Sequence, residues 1–132
     1  MKKCEIIFKS VANGISVDTK IIGEFCSNHN SFLISFYLKD EKETQKFTFS
    51  LLKDGTLRLT KSGDSKYSLI FNKGKVSKSL LTSNGYTISL STKTTRLATQ
   101  LNNNSILIDC NYVLDIGGNK SSNSFYVFAK EI

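Results

Sequence analysis

Apolar and polar residues alternate along most of this chain with a period of two, the pattern of strands that have one dry face and one wet face. In ISVDTKIIGEF, residues 15–25, Ile15, Val17, Thr19, Ile21 and Phe25 share one face, with Ser16, Asp18, Lys20 and Glu24 on the other. Phe47, Phe49 and Leu51 alternate with Lys46, Thr48 and Ser50, and Tyr67, Leu69 and Phe71 stand opposite Lys66 and Ser68. Ile106, Ile108, Cys110, Tyr112, Leu114 and Ile116 form a fourth such set, against Asp109, Asn111 and Asp115. Each segment is expected to bury its apolar set and leave the polar set to water.

Turn-forming clusters separate these runs: Asn13-Gly14, residues 27–30, Asp54-Gly55, Ser62-Gly63-Asp64, Lys73-Gly74, residues 102–104 and Gly117-Gly118-Asn119. Gly, Asn and Asp supply the positive φ angles that tight hairpins need. Strands between turns about 8–12 residues apart point to an antiparallel sandwich or barrel. No long stripe with helical spacing occurs. Residues 93–101, KTTRLATQL, suit a helical turn or a strand, and the adjacent Thr94 and Thr95 favour the strand. Successive short connections without long crossovers predict a single all-β domain over residues 1–132. The expected architecture is an up-and-down antiparallel β-barrel of about eight to ten strands, closed so that no edge is left bare.

The chain has 132 residues, 39% of them hydrophobic, with nine Phe and five Tyr to give the core bulk. Its three cysteines, Cys4, Cys26 and Cys110, are odd in number and widely spaced, so neither a disulfide framework nor a zinc site is expected. They read as reduced and mostly buried, in a cytoplasmic protein. No apolar run is long enough for a signal peptide or a membrane-spanning helix. His29 is the one histidine and lies in a turn-like SNHN, a poor setting for the base of a catalytic cysteine. P-loop, GxSxG, GxGxxG and HxxH patterns are missing from the sequence. Asp40, Glu41 and Glu43 read as a solvated hairpin tip, while Asp109 and Asp115 alternate outward on one strand. No catalytic residue, metal or cofactor is assigned, and binding is expected rather than catalysis.

The stretch that begins GTLRLTKSG at Gly55 and closes on Thr92 carries a recognisable order of elements. A strand ends in a basic residue followed by x-G (Lys61, Gly63). A T-x-x-G element comes next (Thr82, Gly85), then a strand closing on Thr92. Further on, ILIDCNYVL at 106–114 is similar to a late I-x-I-x-Y-x-L strand, and residues 124–131 to a closing strand. In these features the chain resembles the YwiB-like family, small bacterial proteins of uncharacterised function with a lipocalin-like (calycin-type) β-barrel. The resemblance covers most of the chain and is clearest after residue 53. It implies a fold and no established activity. Lys61 stands where the family tends to have Arg, and Asn84 where an aromatic is common.

Charge is unevenly distributed. Residues 53–96 hold nine basic and two acidic residues, a net +7, equal to the formal charge of the whole chain. Three readings follow. The lysines could simply solvate outer strand faces, in keeping with sixteen Lys against two Arg. They could form a basic surface for RNA or an acidic partner, in a protein with a structural or interaction role. Or some could face a ligand. Lys61 shares its face with Leu57 and Leu59. Lys78 shares its face with Val76, Leu80 and Thr82, Tyr86 and Thr92 with Ile88 and Leu90, and Tyr112 lies on an inward face. Polar groups converging on apolar walls describe a small-molecule site. The candidate ligand-binding residues are therefore Lys61, Lys78, Thr82, Tyr86, Thr92 and Tyr112, for a small anionic ligand in or at the mouth of the barrel. The sequence leaves the oligomeric state open.

Overall fold

A computed structural model describes residues 1–28, 30–39 and 42–132. Ten strands follow one another: β1 (Lys2–Ala12), β2 (Ile15–Asn28), β3 (Ser31–Lys39), β4 (Thr44–Leu51), β5 (Leu57–Ser62), β6 (Ser65–Phe71), β7 (Val76–Ser83), β8 (Tyr86–Leu101), β9 (Ser105–Ile116) and β10 (Asn119–Glu131). Each pairs antiparallel with its sequence neighbours, and β1 pairs with β10, so the meander closes into a barrel. Residues 93–101 lie within β8, and the register shifts between Thr94 and Arg96. The residue inserted there, Thr95, is a β-bulge that bends a long strand around the barrel.

Three of the hairpins at one end turn on two residues: Asn13-Gly14, Asn84-Gly85 and Gly117-Gly118, every one with positive φ. Two positive φ angles in succession give the backbone twist that matches the right-handed twist of paired strands. Asn84-Gly85, read from the sequence only as part of the T-x-x-G element, is thus a hairpin turn. The β5–β6 connection lies at this same end, and the other end carries the chain termini and the β4–β5, β6–β7 and β8–β9 connections.

Ten strands enclose more width than ordinary aliphatic side chains fill. Aromatic rings close the gap. Phe36 and Phe47 stack at 5.5 Å between centroids, and Phe8 tilts against Phe36 at 5.3 Å. The run continues through Phe8–Phe49 (6.2 Å), Phe49–Phe125 (5.2 Å), Phe125–Phe71 (5.1 Å) and Phe71–Tyr112 (4.8 Å). Such ring pairs add about 0.5–1.5 kcal/mol each beyond area burial. Isoleucines and leucines of the inner faces pack around them. The alternation expected at Phe47–Leu51, Tyr67–Phe71 and Ile106–Ile116 is the one observed, with the inner sets buried or half-buried.

Two strands depart from the expected faces. In β2 only Gly23 and Phe25 are buried, with Ile21 packed against the core, while Ile15 and Val17 are exposed. They keep inward parity, since Ser10 of β1 pairs with Val17 and Ala12 with Ile15, but they stand beyond the packed layer. In β7 the inner face is Ser77, Ser79, Leu81 and Ser83; Val76, Lys78, Leu80 and Thr82 point out. The consecutive Leu80 and Leu81 made either parity readable. Pairing of Leu81 with both Tyr67 and Ile88 decides it. Cys4 and Cys110 are buried, as expected, whereas Cys26 is exposed.

Gly23 occupies the tightest crossing. There β2 passes from pairing with β1 to pairing with β3, and a Cβ would lie 2.5 Å from Ile6 Cδ1 and 2.6 Å from the Ser35 carbonyl oxygen. The side chain of Ile6 can turn away; the Ser35 backbone must move with its strand. Gly23→Ala is expected to destabilise the barrel by about 1–3 kcal/mol, measured as a lower urea midpoint with an unchanged slope. Phe49→Ala should cost more, about 3–5 kcal/mol, because a fully buried ring leaves a cavity in the middle of the ring run.

Candidate ligand site at the turn-bearing mouth

The candidate site is best built from the inner positions that continue past the ring layer. The β1–β2, β9–β10 and β7–β8 hairpins are contiguous around the barrel and form one side of the rim. Their inward parity places Ile15 and Val17, then Ser121 and Asn123, then Leu114 and Ile116, then Ile88 and Tyr86 along that wall. Ile15 is 68% exposed and Tyr86 75%. Asn123 is buried and pinned: its Oδ1 accepts a hydrogen bond from the Asn13 backbone N–H at 3.1 Å, and its side chain bonds to Tyr112.

The β5–β6 hairpin supplies the other side. Lys61 pairs in register with Phe47 and Tyr67, and its Nζ lies 5.6 Å from the centroid of the Tyr67 ring. A cation over an aromatic face is attracted by the ring quadrupole. Lys61 also helps hold the Glu43 carboxyl below its ordinary range, though the larger causes are hydrogen bonds from the Asp64 backbone N–H and from Gln45. The first of these measures 2.6 Å to Glu43 Oε2. Glu43 is therefore not merely a solvated tip residue, since it ties the β3–β4 and β5–β6 connections together. The rest of that expectation, at Asp40 and Glu41, and the reading of His29 lie outside the described residues.

Below the rim, hydroxyls line the inner side of β7 and β8. β6 and β7 pair only from Ser65↔Ser83 to Tyr67↔Leu81. Beyond that point the link between them docks on β8. Thr94 Oγ1 accepts from the Asn72 N–H at 3.1 Å, and its carbonyl accepts from the Gly74 N–H at 2.9 Å. Thr94 is thereby satisfied, but Thr92 is not. It is 1% exposed, and its Oγ1, like the buried Ser79 Oγ, has no hydrogen-bond partner among the described residues. Ser77 pairs with Thr92 and Ser79 with Leu90, so the two orphan hydroxyls are diagonal neighbours on the inner face. Buried hydroxyls without a partner are uncommon and costly.

Of the residues singled out in the sequence, Lys61, Thr92 and Tyr112 lie on the inner side, and Tyr86 stands at its lip. Lys78 and Thr82 do not join them. Both are on the outer surface, where Lys78, Leu80, Ser89, Ser91 and Asp115 border a depression of about 450 Å³. Sequence reasoning missed Tyr67, Ser79 and Asn123 as members of the site. Tyr67 was visible as an inward residue beside Lys61. Nothing in the sequence marks Ser79, because its face depends on the register of β7. Asp109, expected to point outward, does so and pairs with Arg96 at 3.4 Å. Asp115 Oδ1 accepts from the Gly118 N–H at 2.9 Å, which holds the β9–β10 turn.

Residues 7–126 match a family model described as "Domain of unknown function (DUF1934)". The chain belongs to this DUF1934 family. Its fold is similar to the crystal structure of the ywiB protein from Bacillus subtilis, at a TM-score of 0.83 and 16% identity, over 99% of this chain and 92% of that one. At that identity the likeness concerns the fold alone, and it agrees with the barrel expected from the YwiB-like sequence features. No curated protein matches the chain. No helix is long and apolar enough to cross a membrane among the described residues.

Burial raises the pKa of the inner groups, because it disfavours their charged forms. It pushes the Cys110 thiol up to about 12, with the charge of Asp109 adding to the effect. Burial also raises the Tyr67 and Tyr112 phenols, with the Asn123 hydrogen bond opposing the rise at Tyr112. Above the ordinary thiol value of 9.0 the unfolded chain releases these protons before the folded chain does. Stability is therefore full below pH 9 and falls as pH rises toward 12. Urea midpoints between pH 8 and pH 11 should decline, and Cys110→Val should make the decline shallower. At pH 8 a thiol reagent should label Cys26 rapidly and leave Cys4 and Cys110 unmodified until the barrel unfolds.

Proposed function

We propose that the barrel is a binding protein for a small amphipathic molecule with an anionic head group, taken up at the turn-bearing mouth. The observation that carries this reading is the inner surface left open above the ring layer. Ile15, Val17, Ile88 and Tyr86 lie on the same side of their strands as the core yet are exposed. An apolar wall with a cation across from it suits an apolar body and a negative head. Lys61 is the counter-charge, Tyr67 and Tyr112 offer phenolic hydroxyls, and Thr92 and Ser79 offer hydroxyls that nothing described in the protein satisfies.

The ring run limits the depth of binding. Seven aromatic side chains in continuous contact occupy the barrel from Phe47 to Tyr112. A ligand therefore rests on this layer instead of passing through it. Lys78 and Thr82, which point away from the mouth, take no part.

Titration with anilinonaphthalene sulfonate, an amphipathic anion whose fluorescence reports an apolar site, tests the proposal. Saturable binding at one site is expected. Lys61→Gln should weaken it about tenfold, a loss of roughly 1.4 kcal/mol, and Tyr86→Ala should weaken it as well. Lys78→Gln should leave it unchanged. Unsaturable binding, or equal affinity in the Lys61 variant, would remove the mouth as the site.

A further inference from the structure

The mouth leaves most of the positive charge unused. Arg58 of β5, Lys66 of β6, Lys78 of β7 and Lys93 of β8 all project from the outer surface of four consecutive strands, and Lys73 lies in the connection between β6 and β7. None of these five forms an ion pair among the described residues. Lys2–Glu131, Lys20–Glu5 and Arg96–Asp109 are ion pairs among the described residues, and all involve other cations. The two acids of the segment are in turns, and Asp54 is engaged by the Thr56 N–H at 2.9 Å. Asp115 of β9, whose carboxylate holds Gly118, marks the border of the basic face.

Between the cations stand hydroxyls: Thr60, Ser68, Thr82, Thr87, Ser89 and Ser91. Strands about 4.8 Å apart make the four-strand face about 15 Å across. A single-sign face of this kind raises the local concentration of polyanions. Hydroxyls and ammonium groups together contact phosphate oxygens without reading bases.

The composition of the face also selects the kind of polyanion. No aromatic side chain occupies the outward positions of β5–β8; Tyr67 and Tyr86 have inward parity. Single strands gain much of their affinity by stacking bases on aromatic rings, and that gain is absent here. A duplex offers no unstacked bases but a denser array of phosphates, and so releases more counterions per neutralised charge. We infer that the outer face of β5–β8 is a docking surface for the phosphate backbone of double-stranded nucleic acid, bound without regard to sequence.

Fluorescence anisotropy with a short mixed-sequence duplex, titrated between about 50 and 200 mM salt, tests the inference on the intact protein. The expected log–log slope is between about −3 and −5, an affinity loss of about 60-fold to 1000-fold across that range. Lys66→Gln with Lys78→Gln should make the slope shallower by about 1.8, or about 0.9 per contact. A control pair, Lys9→Gln with Lys130→Gln, removes the same charge from β1 and β10 and should leave the slope unchanged. Equal slope changes in both pairs would reduce the effect to net charge and overturn the surface. Tighter binding of the matching single strand would overturn the preference for duplex. Capture by phosphatidylserine vesicles without duplex binding would transfer the face to a membrane and overturn the inference.

Discussion

The structure depends on filling a wide tube. Closure of ten strands gives every strand a paired neighbour on both sides, but it fixes a circumference whose interior must be occupied. The inner positions of β1, β3, β4, β6, β9 and β10 meet this demand with large rings: Phe8, Phe36, Phe47, Phe49, Phe71, Tyr112 and Phe125. Because these rings touch in series, the core is continuous from one wall to the other. Gly23 is the local counterpart of the same constraint. Where β2 is drawn in against β1 and β3, no volume remains even for a methyl group.

Packing is uneven around the ring. The β1–β4 side is lined with phenylalanines and aliphatics, whereas the inner side of β7 and β8 carries Ser77, Ser79, Thr92 and Thr94. The loss of β6–β7 pairing beyond Tyr67↔Leu81 lies in the same region. Thr94 repairs part of that lapse by bonding the β6–β7 connection, while Ser79 and Thr92 keep unspent hydrogen-bonding capacity. Polarity inside the barrel is thus concentrated below the rim that the exposed Tyr86 and Ile88 extend.

Outside, charge follows strand parity as closely as bulk does inside. Lys61 and Lys66 lie five residues apart on neighbouring strands, yet one sits over an inner aromatic ring and the other faces water. The first belongs to the mouth and the second to the basic outer face. A single hairpin serves two surfaces of different chemistry because alternation sends adjacent side chains to opposite sides of a thin sheet.

The sequence alone determined the all-β class, the barrel, most hairpin positions and most core residues. All of these follow from local rules: alternation with period two, and turns that need Gly or Asn. It marked Lys61, Thr92 and Tyr112 as inward for the same reason. It could not decide β7, where SKSLLTS offers two leucines in succession and either face could be the dry one. Cross-strand pairing of Leu81 with Tyr67 and Ile88 settled that choice, turning Lys78 and Thr82 outward and Ser79 inward. Nor could it show that Ile15, Val17 and Tyr86, apolar and correctly in phase, stand above the packed layer. Parity is a property of one strand, but burial depends on how far its neighbours extend beside it, and only the closed barrel fixes that.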